Sequence, residues 1–556
     1  MGQQAMSHFR SPHRRLAAFS VVLVPYLFLV KAFWWVDEDA FISFRYAYNL
    51  AHGHGLRFNV TEDVPVEGYS NFLWVLWSSL VELLGGDVTF WVPLTSVLTG
   101  AILLYRIFVV LNRFLNVNLW VTSLATLSLA LFPPFAVWST SGLETVPAAL
   151  AQFIAFEHLI IRREDTWRGG LAGLALTLLR VEGLAWAMLV GFGAILSNRL
   201  AGTRTRQVPL KYFGIVVGGF AIFLSWRYSY YESLIANTAH AKNIGLSLAG
   251  IERGVRYVTG YTLTFLTPLL ILPAGVIAFG KTVRPVALPT LGLAVAPIGY
   301  SIVVGGDYMA MGRFLVPMLP FSALLFGWLL NWLWERDHSG RGAVMVGATV
   351  ALVLTLGLLP AAMIHVVPES IRSRVDWKVP PYLTEVEKWH VGRRHSLRQR
   401  EMALGLKEIA RPGDGLVTHA VGNLGYYSDL VIYDQAGLVN REVAARPVSE
   451  LVAPGHDKIV PPEFFLKDRP GVLEIELVPR RAFDNTVERF NHRAEYLRET
   501  YAADYVTATV PLKLDQSLSV RRTILLNLLY PLTGLVSGEQ TEGRLDYAIV
   551  ALQKRR

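Results

Sequence analysis

The chain has 556 residues, 53% of them hydrophobic and only 17% charged, with a mean hydropathy of +0.37. That is more apolar surface than a soluble core of this length needs, so the composition excludes an ordinary soluble protein and indicates a membrane protein. A formal charge of +9 would suit a nucleic-acid partner, but the basic residues fall in loops between apolar runs, and the absence of cysteine excludes disulfides and thiolate chemistry.

Arg10, Arg14 and Arg15 precede an apolar run at 16 to 36 that has no small-residue cleavage site, which reads as a retained first helix starting on the cytoplasmic side. Further runs at 89 to 111, 211 to 229, 261 to 280, 287 to 304, 313 to 334 and 342 to 366 approach or exceed the roughly 20 residues that cross a bilayer. Shorter runs at 119 to 137, 143 to 161, 167 to 180 and 183 to 197 bring the expected count to about eleven transmembrane helices. Loops carrying Arg106 and Arg113, Arg162, Arg163 and Arg168, Arg199 and Lys211, Lys281 and Arg284, and Arg336 and Arg341 then all face the cytoplasm. This sidedness requires 40 to 88 to be one external loop, with Phe72 to Leu84 too short to span.

After residue 366 the apolar runs stop and charge and proline rise, so the expected organisation is a membrane domain over 1–366 and an extracytoplasmic α/β domain over 367–556. A basic connector at 367 to 400 leads into a helix at Ala403 to Ala410. Strands are expected at Gly415 to Thr418, Leu430 to Asp434, Leu473 to Leu477 and Tyr505 to Val510. Thr523 to Val536, broken by Pro531 and Gly534, reads as a core or membrane-touching segment.

The same sidedness gathers six polar motifs outside: Asp37-Glu38-Asp39, Glu67-Gly68-Tyr69-Ser70-Asn71, Ser141 to Thr145, Arg180 to Gly183, Asn237 to Lys242 and Gly305 to Met309. A charge within a membrane helix costs about 2.5–3.5 kcal/mol on insertion scales, so this concentration points to a shared external cavity. Asp39 is the candidate general base, with Glu38 and Asp37 as orienting groups or alternatives; capping of a helix by Asp37 or Asp39 is the competing reading. Lys242, Arg180 and Arg313 are candidates to hold a leaving phosphate, against plain snorkelling. Glu67, Tyr69, Asn71, Trp74, Glu144, Asn237 and Asp307 are candidates for a sugar site, Glu144 also fitting a helix cap and Glu182 a partner for Arg180. No cofactor is fixed by the sequence; His52 and His54, flanking Gly53, are the candidates for contact with a divalent metal. P-loop, GxGxxG and HExxH motifs are absent.

Glu38 to Tyr46, Gly53 to Asn59, Val66 to Trp74, Ser141 to Thr145 and Gly305 to Tyr308 together resemble the GT-C membrane glycosyltransferases, and among them the terminal β-(1→2) arabinofuranosyltransferases of mycobacterial-type cell walls. Gln435 to Arg441 extends the resemblance into the second half. It implies a polytopic helical domain with a catalytic acid in the first external loop, an extracytoplasmic C-terminal domain and a plasma-membrane location. It also implies decaprenyl-phosphoryl-arabinofuranose as donor and the arabinan of arabinogalactan or lipoarabinomannan as acceptor. Its acidic pair falls on Glu38 and Asp39, with glutamate where the family commonly has a first aspartate and with Asp37 added. The alternatives are a transporter or flippase for the same lipid, or a non-catalytic envelope or motility factor.

Overall fold

A computed structural model describes residues 12–202, 208–242, 245, 247–266, 283–336, 340–376, 382–411, 413–448, 451, 455–513 and 546–555. Among these, seven helices are long and apolar enough to cross a membrane: His13–Ala32, Val88–Phe114, Gly183–Leu200, Leu210–Tyr231, Arg284–Val303, Ala310–Glu335 and Arg341–Ala362. Leu119–Ala130 and Pro133–Thr140 form an eighth if their 60° bend is counted within one broken span. The bend falls where Pro133 and Pro134 remove two backbone donors.

The eleven expected spans thus compare with seven or eight, and the difference has a physical origin. The runs at 143 to 161 and 167 to 180 are helical, but Thr145–Phe156 with its continuation Glu157–Ile161, and Trp167–Leu179, stop short of a bilayer's thickness. Glu144 stands at the N-cap position of the first, at its N-terminus, and Arg180 at the C-cap position of the second, at its C-terminus. Thr145–Phe156 is buried on nearly every side, so its apolarity serves packing and not lipid contact. The run at 261 to 280 lies partly outside the described residues, and Thr523 to Val536 wholly so. Ala310–Glu335 is the central element, 78% buried among the other helices, while Leu210–Tyr231 and Arg341–Ala362 form the rim.

The C-terminal half builds a five-stranded mixed sheet in the order β2-β1-β3-β5-β4, from β1 (Gly415–Thr418), β2 (Val431–Asp434), β3 (Val472–Pro479), β4 (Tyr505–Lys513) and β5 (Asp546–Lys554). β1 is parallel to β2 and β3, whereas β5 runs antiparallel between β3 and β4. The expected helix at Ala403 to Ala410 is the end of a longer one, Glu385–Leu406, opened by a capping box between Thr384 and Glu387. Most of the basic connector therefore becomes helix.

The halves meet over the segment 33–71. Buried Arg45 donates to the carbonyls of Gly425 and Leu430 across the boundary, and Asn59 exchanges hydrogen bonds of 2.9 and 3.0 Å with the backbone of Ile432. Leu416, Leu424 and Ile432 continue the apolar packing of Ile42, Tyr46 and Phe58. This contact fixes the acidic loop between the bundle and the sheet.

Candidate active site

A cavity of about 470 Å³ opens between the helix ends and the C-terminal half. Four acids, Asp39, Glu144, Glu182 and Asp307, and four bases, Arg180, Lys242, Arg253 and Arg313, line it. Tyr69 and Asn71 also contribute to its wall, so the structure brings together eight of the sequence-derived candidates: Asp39, Tyr69, Asn71, Glu144, Arg180, Lys242, Asp307 and Arg313.

Asp39 sits at the N-cap position of Ala40–Ala51, yet its side chain makes no capping bond. Its Oδ1 instead accepts from the Tyr308 hydroxyl at 3.0 Å. Tyr308 was not among the candidates; its position next to Asp307 in the Gly-Gly-Asp-Tyr motif was the available signal. On its other side, the ring of His456 from the C-terminal half packs edge-on against Tyr308 at 5.0 Å between centroids.

The other two acids do not line the cavity. Asp37 is buried, and its Oδ1 accepts from the Asp39 backbone N–H at 2.9 Å. Glu38 reaches the C-terminal half, where its Oε1 accepts from the N–H groups of Gly422 at 2.6 Å and Asn423 at 3.2 Å, at the start of the helix Val421–Ser428. A carboxylate is favoured at a helix N-terminus. Burial, reinforced by the neighbouring charge of Asp39, nevertheless pushes Asp37 up to about 7; burial and the charges of Asp39 and then Asp37 push Glu38 up to about 8.

A buried relay crosses the cavity wall. Ser43 and Asn71 hydrogen-bond each other, Asn71 Nδ2 donates to Glu144 Oε2 at 2.7 Å, and Glu144 Oε1 accepts from Arg180 Nη1 at 2.9 Å. Arg180 Nε also meets Glu182 Oε1 at 2.5 Å, so the pairing of these two read from the sequence is present, and Glu144 is a second anionic partner. Arg313 donates to Asp307 at 2.7 Å, and Arg253, 2% exposed, pairs with Asp457. Lys242, by contrast, is exposed at the mouth and forms no ion pair with a described residue.

Glu67, Trp74 and Asn237 lie outside the lining and hold the fold around it. Glu67 pairs with Arg227 at 2.9 Å, Trp74 Nε1 donates to the Gly142 carbonyl at 2.8 Å, and Asn237 Nδ2 donates to the carbonyls of Gly437 and Leu438. Leu438 itself lines the cavity, so the Gln435 to Arg441 stretch reaches the site. His52 stacks on Tyr48 and lies 2.8 Å from its carbonyl; neither His52 nor His54 lines the cavity. Among the described residues no three His, Asp or Glu side chains gather as ligands of a metal ion.

Comparison with known proteins adds three findings. Residues 386–522 match a family described as a domain of unknown function (DUF8728). The chain is 27% identical, over 357 residues, to the terminal β-(1→2)-arabinofuranosyltransferase of Corynebacterium glutamicum, covering 56% of this chain and 50% of that one. It therefore spans about half the length of this curated relative. Among solved structures, ArnT from Cupriavidus metallidurans, bound to undecaprenyl phosphate, aligns with a TM-score of 0.53 at 14% identity, over 97% of this chain and 98% of that one. The chain shares the fold of that solved structure, polytopic and helical with a C-terminal mixed α/β region.

Proposed function

We propose that this chain is a polyprenyl-phosphate-sugar-dependent glycosyltransferase that moves arabinofuranose from decaprenyl-phosphoryl-arabinose to the non-reducing ends of cell-wall arabinan, forming terminal β-(1→2) linkages. In this reading residues 1–366 carry the reaction, residues 367–556 form an extracytoplasmic domain, and the cavity opens away from the cytoplasm. The observation that carries it is the Asp39 carboxylate, uncommitted to capping, held by Tyr308 in a cavity that also contains cationic groups.

Asp39 takes the proton of an acceptor hydroxyl as that oxygen bonds to the anomeric carbon, while the carbon–oxygen bond to phosphate breaks and its electron pair leaves with the phosphate. Lys242 is better suited to meet that developing charge than Arg180 or Arg313, each already balanced by carboxylates. Tyr300, Val303 and Val304, at the end of the Arg284–Val303 span, give the cavity an apolar flank against which an isoprenoid chain can lie. The relative from Corynebacterium glutamicum supports the choice of sugar. The test is Asp39→Asn in purified protein supplied with the lipid donor and an arabinan oligosaccharide. Transfer is expected to fall by at least about a hundredfold; transfer at the parent rate removes Asp39 from the chemistry.

A further inference from the structure

A second charged cavity, of about 210 Å³, lies at the opposite end of the helices from Asp39. Chain direction establishes the separation. Arg15 stands near the start of Pro12–Ala32, the helix whose far end leads into the acidic loop. Glu144 opens Thr145–Phe156 at the candidate active site, and Glu157 begins the turn at that helix's other end, about 20 Å away at 1.5 Å per residue. Arg15, Arg106, Arg113 and Arg162 line this second cavity, with Glu157 as its only acid.

Two features set the cavity apart from an ordinary run of basic loop residues. Two of the three helices that supply it end in π-helical turns, Val110–Phe114 and Glu157–Ile161, a rare geometry that recurs at functional sites. Its charge is also unbalanced by construction. The buried Glu157 is shared by Arg106, through Nε at 2.9 Å and Nη2 at 2.8 Å, and by Arg162, through Nε at 3.0 Å and Nη2 at 2.5 Å. Arg113 and Arg15 have no carboxylate partner among the described residues, and the Nε of Arg15 is buried with no acceptor. A buried guanidinium donor without an acceptor is costly, and a phosphate oxygen would satisfy it.

We propose that this cavity binds a phosphate-bearing anion, in the membrane the headgroup of an anionic phospholipid. Four guanidinium groups around one carboxylate suit a phosphodiester, whose oxygens accept from two arginine forks at once. The site lies where helix ends meet the headgroup layer, so a lipid reaches it without leaving the bilayer.

The test uses the full chain in nanodiscs of phosphatidylcholine with and without phosphatidylglycerol, and in detergent with inorganic phosphate against chloride at equal ionic strength. Arg15→Gln/Arg113→Gln leaves the Glu157 pairs intact. Arg168→Gln/Lys211→Gln removes the same charge from the neighbouring surface. The parent is expected to retain phosphatidylglycerol over phosphatidylcholine in native mass spectrometry, the first variant to bind it about thirtyfold more weakly and the second to match the parent. A response to inorganic phosphate alone, lost in the first variant, identifies a free phosphate as the source. No response of the parent to either anion, or an equal loss in both variants, overturns the site. Independently of any variant, a map of the parent in phosphatidylglycerol nanodiscs with this cavity empty overturns the lipid assignment.

Discussion

Replacing Gly422 by alanine tests the junction on which the candidate site depends. A Cβ built at Gly422 falls on the backbone oxygen of Glu38 and 2.7 Å from its Oε1, the atom that accepts from Gly422 and Asn423. The protein has two responses. The helix Val421–Ser428 can retreat and give up two hydrogen bonds to a carboxyl group, at about 1.5–3 kcal/mol each if that group is charged. Alternatively, the surrounding core can absorb the overpacking, at about 1–3 kcal/mol. The cheaper response prevails, so the expected loss is about 1–3 kcal/mol, or about 3–10 °C in Tm for a region of roughly 190 residues. Gly392→Ala is the control, because its Cβ meets only Trp35 Cζ3 at 3.6 Å and it lies inside the helix Glu385–Leu406. There alanine is expected to stabilise by about 0.5–1 kcal/mol. Both are read by thermal unfolding in nanodiscs, with proteolysis of the C-terminal half as a second probe. A Gly422→Ala protein melting within a degree of the parent would refute the close approach of the two halves.

Asp307→Asn leaves the buried Arg313 guanidinium without its carboxylate and is expected to cost about 3–5 kcal/mol by thermal unfolding, much of it recovered in Asp307→Leu/Arg313→Met. Lys242→Gln is expected to raise KM for the lipid donor about fivefold with a smaller effect on kcat; an unchanged KM would remove Lys242 from phosphate binding. Burial pushes Glu62 up to about 7, and its Oε2 has no hydrogen-bond partner. Because that value lies above the ordinary 4.5, the stability it contributes is complete below pH 4.5 and is lost as pH rises through 7, by about 3 kcal/mol at most. Glu62→Gln should flatten the parent's decline in Tm across that window, and an identical slope in both proteins would contradict the assignment.

Apolar length and loop charge made the membrane half legible, and clustered polar motifs pointed to residues that converge on one cavity. Periodicity could not separate a helix buried in protein from one facing lipid. Thr145–Phe156 is as apolar as a span because other helices surround it, so apolarity alone does not count it as one. Strands β1 to β4 were legible as short apolar runs between turn residues. The terminal β5 was missed although its Tyr547 to Leu552 stretch is apolar, because its pairing with β3 and β4 is a long-range fact that no local pattern carries.

The division of labour among the three consecutive acids was illegible for a different reason: residue type cannot say which way a carboxyl group points. Asp37 turns back onto its own loop, Glu38 reaches Gly422 and Asn423 nearly four hundred residues away, and Asp39 alone enters the cavity. The partner of Glu38 is a pair of backbone N–H groups, which leave no trace in side-chain identity. Trp74 and Asn237 follow the same rule, since each is occupied by main-chain carbonyls brought near by folding. Lys242 stands apart because no described residue forms an ion pair with it, a property of the assembled cavity and not of the Ala-His-Ala-Lys segment that carries it. A cation at the mouth with no ion pair among the described residues is available to an incoming anion, whereas Arg180 and Arg313 would first have to exchange the carboxylates they already hold.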